Sequence, residues 1–178
     1  MGFGMDYLLA VSVLIAILLL ALLLRWQKPP GPVDASDQLR IVMRARFEKK
    51  RLLSRAEFDL FRTVEAHLRR CGPGYRLMAQ PSLGEVLTSP DDTAFRCINS
   101  KRLDMLVIDT FGLPVVAIEF QGGGHYQNDA AARDAVKREA LRRAGVDMLE
   151  IFDDHETEDI CRLVTSAIQR SKPISAAQ

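Results

Sequence analysis

A chain of 178 residues has room for one ordinary domain or two small ones. It is 48% hydrophobic and 26% charged, which excludes a disordered or collagen-like chain and supplies enough apolar material for a core. With 24 Lys+Arg against 23 Asp+Glu, the net charge of +1 excludes a strong global field drawing the chain to nucleic acid.

The apolar residues are unevenly spread. Tyr7 to Leu24 is a run of eighteen residues without a charge. That length predicts a transmembrane helix, since ~18 or more apolar residues cross a hydrocarbon layer of ~30 Å. No basic side chain precedes the run and no small-residue cleavage site follows it, so an uncleaved anchor over residues 1–27 is expected in place of a signal peptide. Arg25 and Lys28 follow directly, and Trp26 suits the interface. The positive-inside rule then predicts a single-pass protein of the inner, cytoplasmic membrane with its C-terminal domain in the cytoplasm. Residues 28–51 read as a basic linker: KPPGPVDASD, then Leu39 to Arg51 with Leu39, Val42, Met43 and Phe47 at helical spacing. Cys71, Cys97 and Cys161 form neither a CxxC pair nor a zinc spacing, which suits a reducing compartment.

Residues 52–172 make up the folded domain, and 173–178 a tail. Ser54-Arg55-Ala56-Glu57 has the form of a capping box and opens a helix to about Cys71, which Gly72-Pro73-Gly74 ends. Tyr75 to Pro81 reads as a strand, and Ser82 to Lys101 as short helices or loops. Leu103 to Asp109 and Pro114 to Gln121 read as strands joined by a turn centred between Phe111 and Gly112. A helix from Asp129 to Ala144, a strand from Val146 to Phe152 and a closing helix to about Arg170 complete the chain. This order predicts an α/β fold with a mixed central sheet flanked by helices. The two central strands lack polar alternation, so both faces of the sheet should be covered.

Several polar residues stand where apolar ones are expected. With the turn so centred, Asp104 and Glu119 are cross-strand partners, their Cβ atoms ~5 Å apart. Two carboxylates that close repel unless a proton or a cation lies between them. Mg²⁺ or Mn²⁺ would suit, because a hard divalent ion takes one or two carboxylates and completes its shell with water and phosphate. Alternatively, one carboxylate lies at a solvated strand end and pairs with an arginine. Gln121, two residues beyond Glu119, shares its face. On the 129–144 helix, Val136, Ala140, Leu141 and Ala144 define an apolar arc into which Arg133 and Lys137 also fall. These two either snorkel past the sheet edge or point at the carboxylates, where a cation would stabilise phosphoryl oxygens. Asp134, Arg138, Glu139 and Arg142 fall outside the arc, as solvated charges do. Glu57, within the buried stripe of the first helix, serves its capping box or reaches the same site. His125, after three glycines, is a residue type suited to acid–base work near neutral pH, or is simply an exposed loop histidine. His67 and His155 read as surface residues.

The pattern LDMLVID…PVVAIEFQGGGH…RDAVKREALRRAGVDMLEI resembles the restriction-endonuclease-like PD-(D/E)xK superfamily. More closely it resembles the bacterial domain-of-unknown-function family catalogued as 2726, and beyond that the very short patch repair endonucleases. The resemblance runs from about Leu52 to about Phe152. It implies a restriction-endonuclease-like fold, with Asp104 and Glu119 holding Mg²⁺ or Mn²⁺, Glu57 as the helix carboxylate and His125 in proton transfer. Arg133 and Asp134 match the Arg-Asp pair that opens the next helix. The superfamily's usual lysine, two residues after the strand glutamate, is here Gln121; Lys137 is the expected substitute, and Lys101 the second choice. The function this implies is a membrane-anchored nuclease, a hydrolase of phosphodiester bonds in DNA or, less favoured, RNA. The alternative is an inactive nuclease-fold module that binds nucleic acid or a partner protein at the membrane.

Overall fold

The protein is described by a computed structural model covering residues 10–11, 13–21, 34–122 and 128–171, with the side chains of residues 128–133 left out. The chain divides into two compact units, Met1–Lys49 and Lys50–Gln178.

The first unit corrects the sequence expectation. Among the described residues no helix is long and apolar enough to cross a membrane. The predicted N-terminal transmembrane helix is therefore not supported, and neither is the single-pass, inner-membrane, cytoplasm-facing location that rested on it. Arg25, Trp26 and Lys28, which set the expected orientation, lie outside the described residues, as does the 173–178 tail. The unit also contains helix α1, Ala35–Arg44, none of whose residues is buried.

The second unit holds a four-stranded mixed sheet in the order β1-β2-β3-β4. Helix α2, Arg55–Cys71, starts as its capping box dictates: the Glu57 N–H donates to Ser54 Oγ at 3.3 Å, and the Ser54 N–H to Glu57 Oε2 at 2.6 Å. Its Leu60, Val64 and Leu68, one turn apart, are buried. Gly74 lies at φ +95°, where an added Cβ would come within 1.8 Å of Thr110 Cγ2, so only glycine lets the chain pass from α2 into the sheet here.

Strand β1, Arg76–Ala79, pairs antiparallel with β2, Met105–Ile108. Between them lie two short helices, α3, Leu83–Val86, and α4, Asp92–Ile98. Strand β3, Pro114–Gln121, pairs antiparallel with β2, with Met105 opposite Ile118 and an irregularity at Val107/Ile108. Asp109 organises their turn: its Oδ1 accepts from the N–H groups of Phe111 at 2.8 Å and Leu113 at 2.9 Å, and Gly112 follows at φ +80°. Helix α5, Asn128–Arg143, makes the crossover that a parallel neighbour demands and leads to β4, Asp147–Phe152, which pairs parallel with β3. Helix α6, Thr157–Ser171, closes the domain.

Both faces of the sheet are covered, as the missing polar alternation predicts. On one, Met105, Val107, Val116, Ile118 and Ile151 pack on the buried stripes of α2 and α6. On the other, Leu106 and Ala117 pack with Leu83, Ile98, Leu103, Leu141 and Val146. Two readings change. His67 is half-buried and bridges α2 to α6 through a 2.7 Å hydrogen bond between its Nε2 and Thr165 Oγ1. Val136, expected inward, is 39% exposed because α5 turns Lys137 and Leu141 toward the sheet.

Candidate functional site

Alternation along β3 sends Ala117 and Glu119 to the α5 side of the sheet and Val116 and Ile118 to the other. The β2–β3 register, continued one residue beyond Met105–Ile118, sets Asp104 opposite Glu119. On the far side, the parallel register sets Glu119 beside Glu150 of β4. A row of three carboxylates, Asp104 just before β2, Glu119 on β3 and Glu150 on β4, thus lies on the face that α5 covers.

Helix α5 answers this row with consecutive cations. Lys137 is buried, its Nζ 2.7 Å from Glu119 Oε2 and 3.3 Å from Asp134 Oδ1, one turn earlier on the helix. Arg138 Nη2 lies 2.6 Å from Glu150 Oε1 at the more exposed edge. Asp104 Oδ2 accepts from the Phe120 N–H at 2.9 Å, and its carbonyl from the Gln80 N–H at 2.9 Å. Gln80 itself sits in left-handed backbone at φ 55°, an uncommon conformation for a side chain of its kind. Glu119 is buried, and its second oxygen, Oε1, has no hydrogen-bond partner among the described residues.

The electrostatics follow from acids outnumbering the one cation buried among the described residues. Burial, then the charges of Asp104 and Asp134, raise Glu119 to a pKa of about 7 against the opposing pull of Lys137. Burial also raises Asp104, and the charges of Glu57 and Asp134 add to it. Burial works against the Lys137 ammonium, but its hydrogen bond to Glu119 and the surrounding carboxylates prevail and raise its pKa, so the lysine stays charged. The pair is thus a firmly protonated lysine beside a glutamate that readily takes a proton.

Of the residues expected in the site, Asp104, Glu119 and Lys137 meet here. Gln121 lies two residues on along β3, half-buried, at the strand end. Glu57 stays in its capping box and acts on Asp104 through its charge. His125 lies outside the described residues, and Arg133 is placed on α5 without its side chain. Asp134 and Arg138, which helical periodicity puts on the solvated face, and Glu150 also belong to the network. The (i, i+3) spacing of Asp134 to Lys137 was a usable signal; the Glu119–Glu150 juxtaposition needs the parallel register, which the sequence does not display. No group of three or more His, Cys, Asp or Glu residues able to hold a metal is found among the described residues.

The chain matches the family described as "Protein of unknown function (DUF2726)" over residues 49–168, and it belongs to that family. It is 47% identical over 118 residues to an uncharacterized protein of Haemophilus influenzae, covering 66% of this chain and 62% of that one. It is 41% identical over 136 residues to the uncharacterized protein y4bI of Sinorhizobium fredii, covering 75% of this chain and 99% of that one. The chain therefore spans somewhat less than two thirds of the Haemophilus protein. No solved structure matches it.

Proposed function

We propose that this protein is a metal-dependent nuclease of the restriction-endonuclease-like PD-(D/E)xK kind, akin to the very short patch repair endonucleases, acting on DNA in preference to RNA. One observation carries the reading: two carboxylates, Asp104 and Glu119, stand opposite each other, the buried Glu119 keeping Oε1 without a partner among the described residues while Lys137 caps Oε2. An unpartnered buried carboxylate oxygen is costly, and a divalent cation is a chemically suitable partner for it.

Asp104 and Glu119 would hold Mg²⁺ or Mn²⁺ in this reading. When bound, the ion supplies a lowered pKa for water and neutralises charge on a phosphate. The chain's own groups would do the rest. The Lys137 ammonium stands in for the lysine that Gln121 displaces and offers a preorganised donor to a phosphoryl oxygen. Gln121, on the same face as Glu119, would orient water or phosphate by hydrogen bonding. Glu57 would tune Asp104 by its charge, His125 would shuttle a proton, and Arg133, at the start of α5, would contact phosphate.

Incubating the full-length chain with DNA and RNA in Mg²⁺ or Mn²⁺ tests this. Cleavage that EDTA stops, and that Asp104→Ala and Glu119→Ala each abolish, is the expected result. Lys137→Ala should lower the rate about 100–1000-fold. Uncut substrates under all these conditions would overturn the proposal.

A second reading, a non-catalytic module binding nucleic acid or a partner protein, is favoured by a specific feature. Lys137 already neutralises Glu119, and an ion pair between strand and helix is a sufficient structural reason for both residues. Nucleic-acid binding without cleavage, and without any effect of Mn²⁺, would select it.

A further inference from the structure

A cavity of about 670 Å³ opens at the start of α2, within the size range of small-molecule sites. Its walls come from the segment leading into α2, the first turns of that helix, and Ala79 at the end of β1. Two of these walls adjoin residues that act on Asp104. Glu57, whose charge raises Asp104, lies on α2 between the lining residues Arg55 and Phe58. Ala79 precedes Gln80, whose N–H donates to the Asp104 carbonyl.

The chemistry of the lining is mixed in a particular way. Phe58 is 51% exposed and Leu52 64%, and Phe61 extends the apolar floor. Arg51 and Arg55 border it with two guanidinium groups, against the single carboxylate of Asp59, so the mouth is net positive. An aromatic face with adjacent cations is the combination that holds single-stranded nucleic acid: bases stack on the ring and phosphates sit on the charges. A duplex keeps its bases stacked on one another and offers none to such a cavity.

Resting on the nuclease-fold reading above, we infer that this cavity receives one unpaired nucleotide, its base against Phe58 and its flanking phosphates on Arg51 and Arg55. The strand it presents to Asp104 and Glu119 is therefore single-stranded or locally unpaired, not intact duplex.

The test is fluorescence anisotropy of the full-length protein with fluorescein-labelled oligothymidylate, alone or annealed to oligoadenylate, in EDTA so that nothing is cut. The single strand should bind about tenfold or more tightly than the duplex. Phe58→Ala should weaken the single strand by about tenfold or more, with an unchanged thermal midpoint, while Phe58→Tyr keeps affinity because its ring still stacks. Arg55→Ala should weaken binding and flatten its salt dependence. Equal or tighter duplex binding, or a silent Phe58→Ala, overturns the inference. Cleavage assays in Mn²⁺ separate it from the nuclease reading. Phe58-dependent binding of a strand that is never cut supports the cavity and removes the nuclease; cleavage of duplex by wild type and Phe58→Ala alike does the reverse.

Discussion

At the scale of residues, the site is governed by one buried ammonium among several carboxylates. Glu119 titrates near pH 7 in the folded protein and near 4.5 in the unfolded chain. The folded state therefore binds more protons than the unfolded state between those values, and stability falls as pH rises through that window. Asp104 is shifted the same way and adds to the slope. In EDTA the thermal midpoint should decline from about pH 5 to about pH 8, by an amount equivalent to at most about 3 kcal/mol. Glu119→Gln, which keeps an uncharged oxygen for Lys137, should remove most of the slope; an unchanged slope in that variant would contradict the assignment. Lys137→Met should be milder at low pH than at high pH. Near pH 8 it forces the buried Glu119 either to stay charged without its partner or to take up a proton, a loss of up to about 3–5 kcal/mol. Near pH 5 the carboxyl is already protonated and the loss should be small. Urea unfolding at the two pH values checks this.

These residues were readable to different degrees. Asp104 and Glu119 emerge from counting outward from the turn, because antiparallel register is fixed by turn position. Lys137 emerges as a charge on an apolar arc. Asp134 shares its network although periodicity assigns it to the outer face; only its partner draws it inward. Glu150 was invisible, because parallel partners are set by a crossover and not by a countable turn.

Among the elements, α2 was legible to its first residue, since the capping box is a local code. Ser54→Ala should lower stability by about 1 kcal/mol in chemical denaturation. Glu57→Gln retains the box and should be nearly silent in that assay, yet it removes a charge that raises Asp104. NMR titration of the Asp104 carboxyl should show a lower pKa in Glu57→Gln than in wild type; an unmoved value would detach Glu57 from the site. Strand β3 was read to its ends because Pro114 opens it and glycines follow it. The stretch from Ser82 to Lys101 stayed unreadable because α3 and α4 are too short to display a period. Helix α5 misled in a different way. Its inward face mixes Leu141 with Lys137, so an arc drawn through apolar residues alone placed Val136 inside when the helix leaves it 39% exposed. The conflict between apolar pattern and buried charge marks the helix as serving the sheet's carboxylates as well as its core.

For the whole molecule, the mixed sheet with covered faces was recoverable from element order and from strands without polar alternation. The transmembrane expectation was not sustained: a run of apolar letters reports composition, whereas crossing a membrane requires one continuous long helix, and the described residues contain none. The architecture puts the carboxylate row under α5, so packing and site should be coupled. Leu141 is fully buried one turn beyond Lys137 and anchors α5 to the sheet. Leu141→Ala should lower stability by about 2–5 kcal/mol and weaken divalent-ion binding, whereas Val164→Ala, in the core on the opposite face, should lower stability and leave ion binding nearly unchanged; equal effects on binding would deny the coupling. The central claim is that Asp104 and Glu119 form a divalent-cation site completed at the Glu119 oxygen that has no partner among the described residues. Calorimetric titration of Mn²⁺ into the full-length protein tests it most directly. The account predicts saturable binding that is lost in Asp104→Asn and in Glu119→Gln, and tighter at about pH 8 than at about pH 6, because the ion must displace the proton that Glu119 holds. Absence of binding in the wild type, or binding that survives unchanged in both variants, would contradict it.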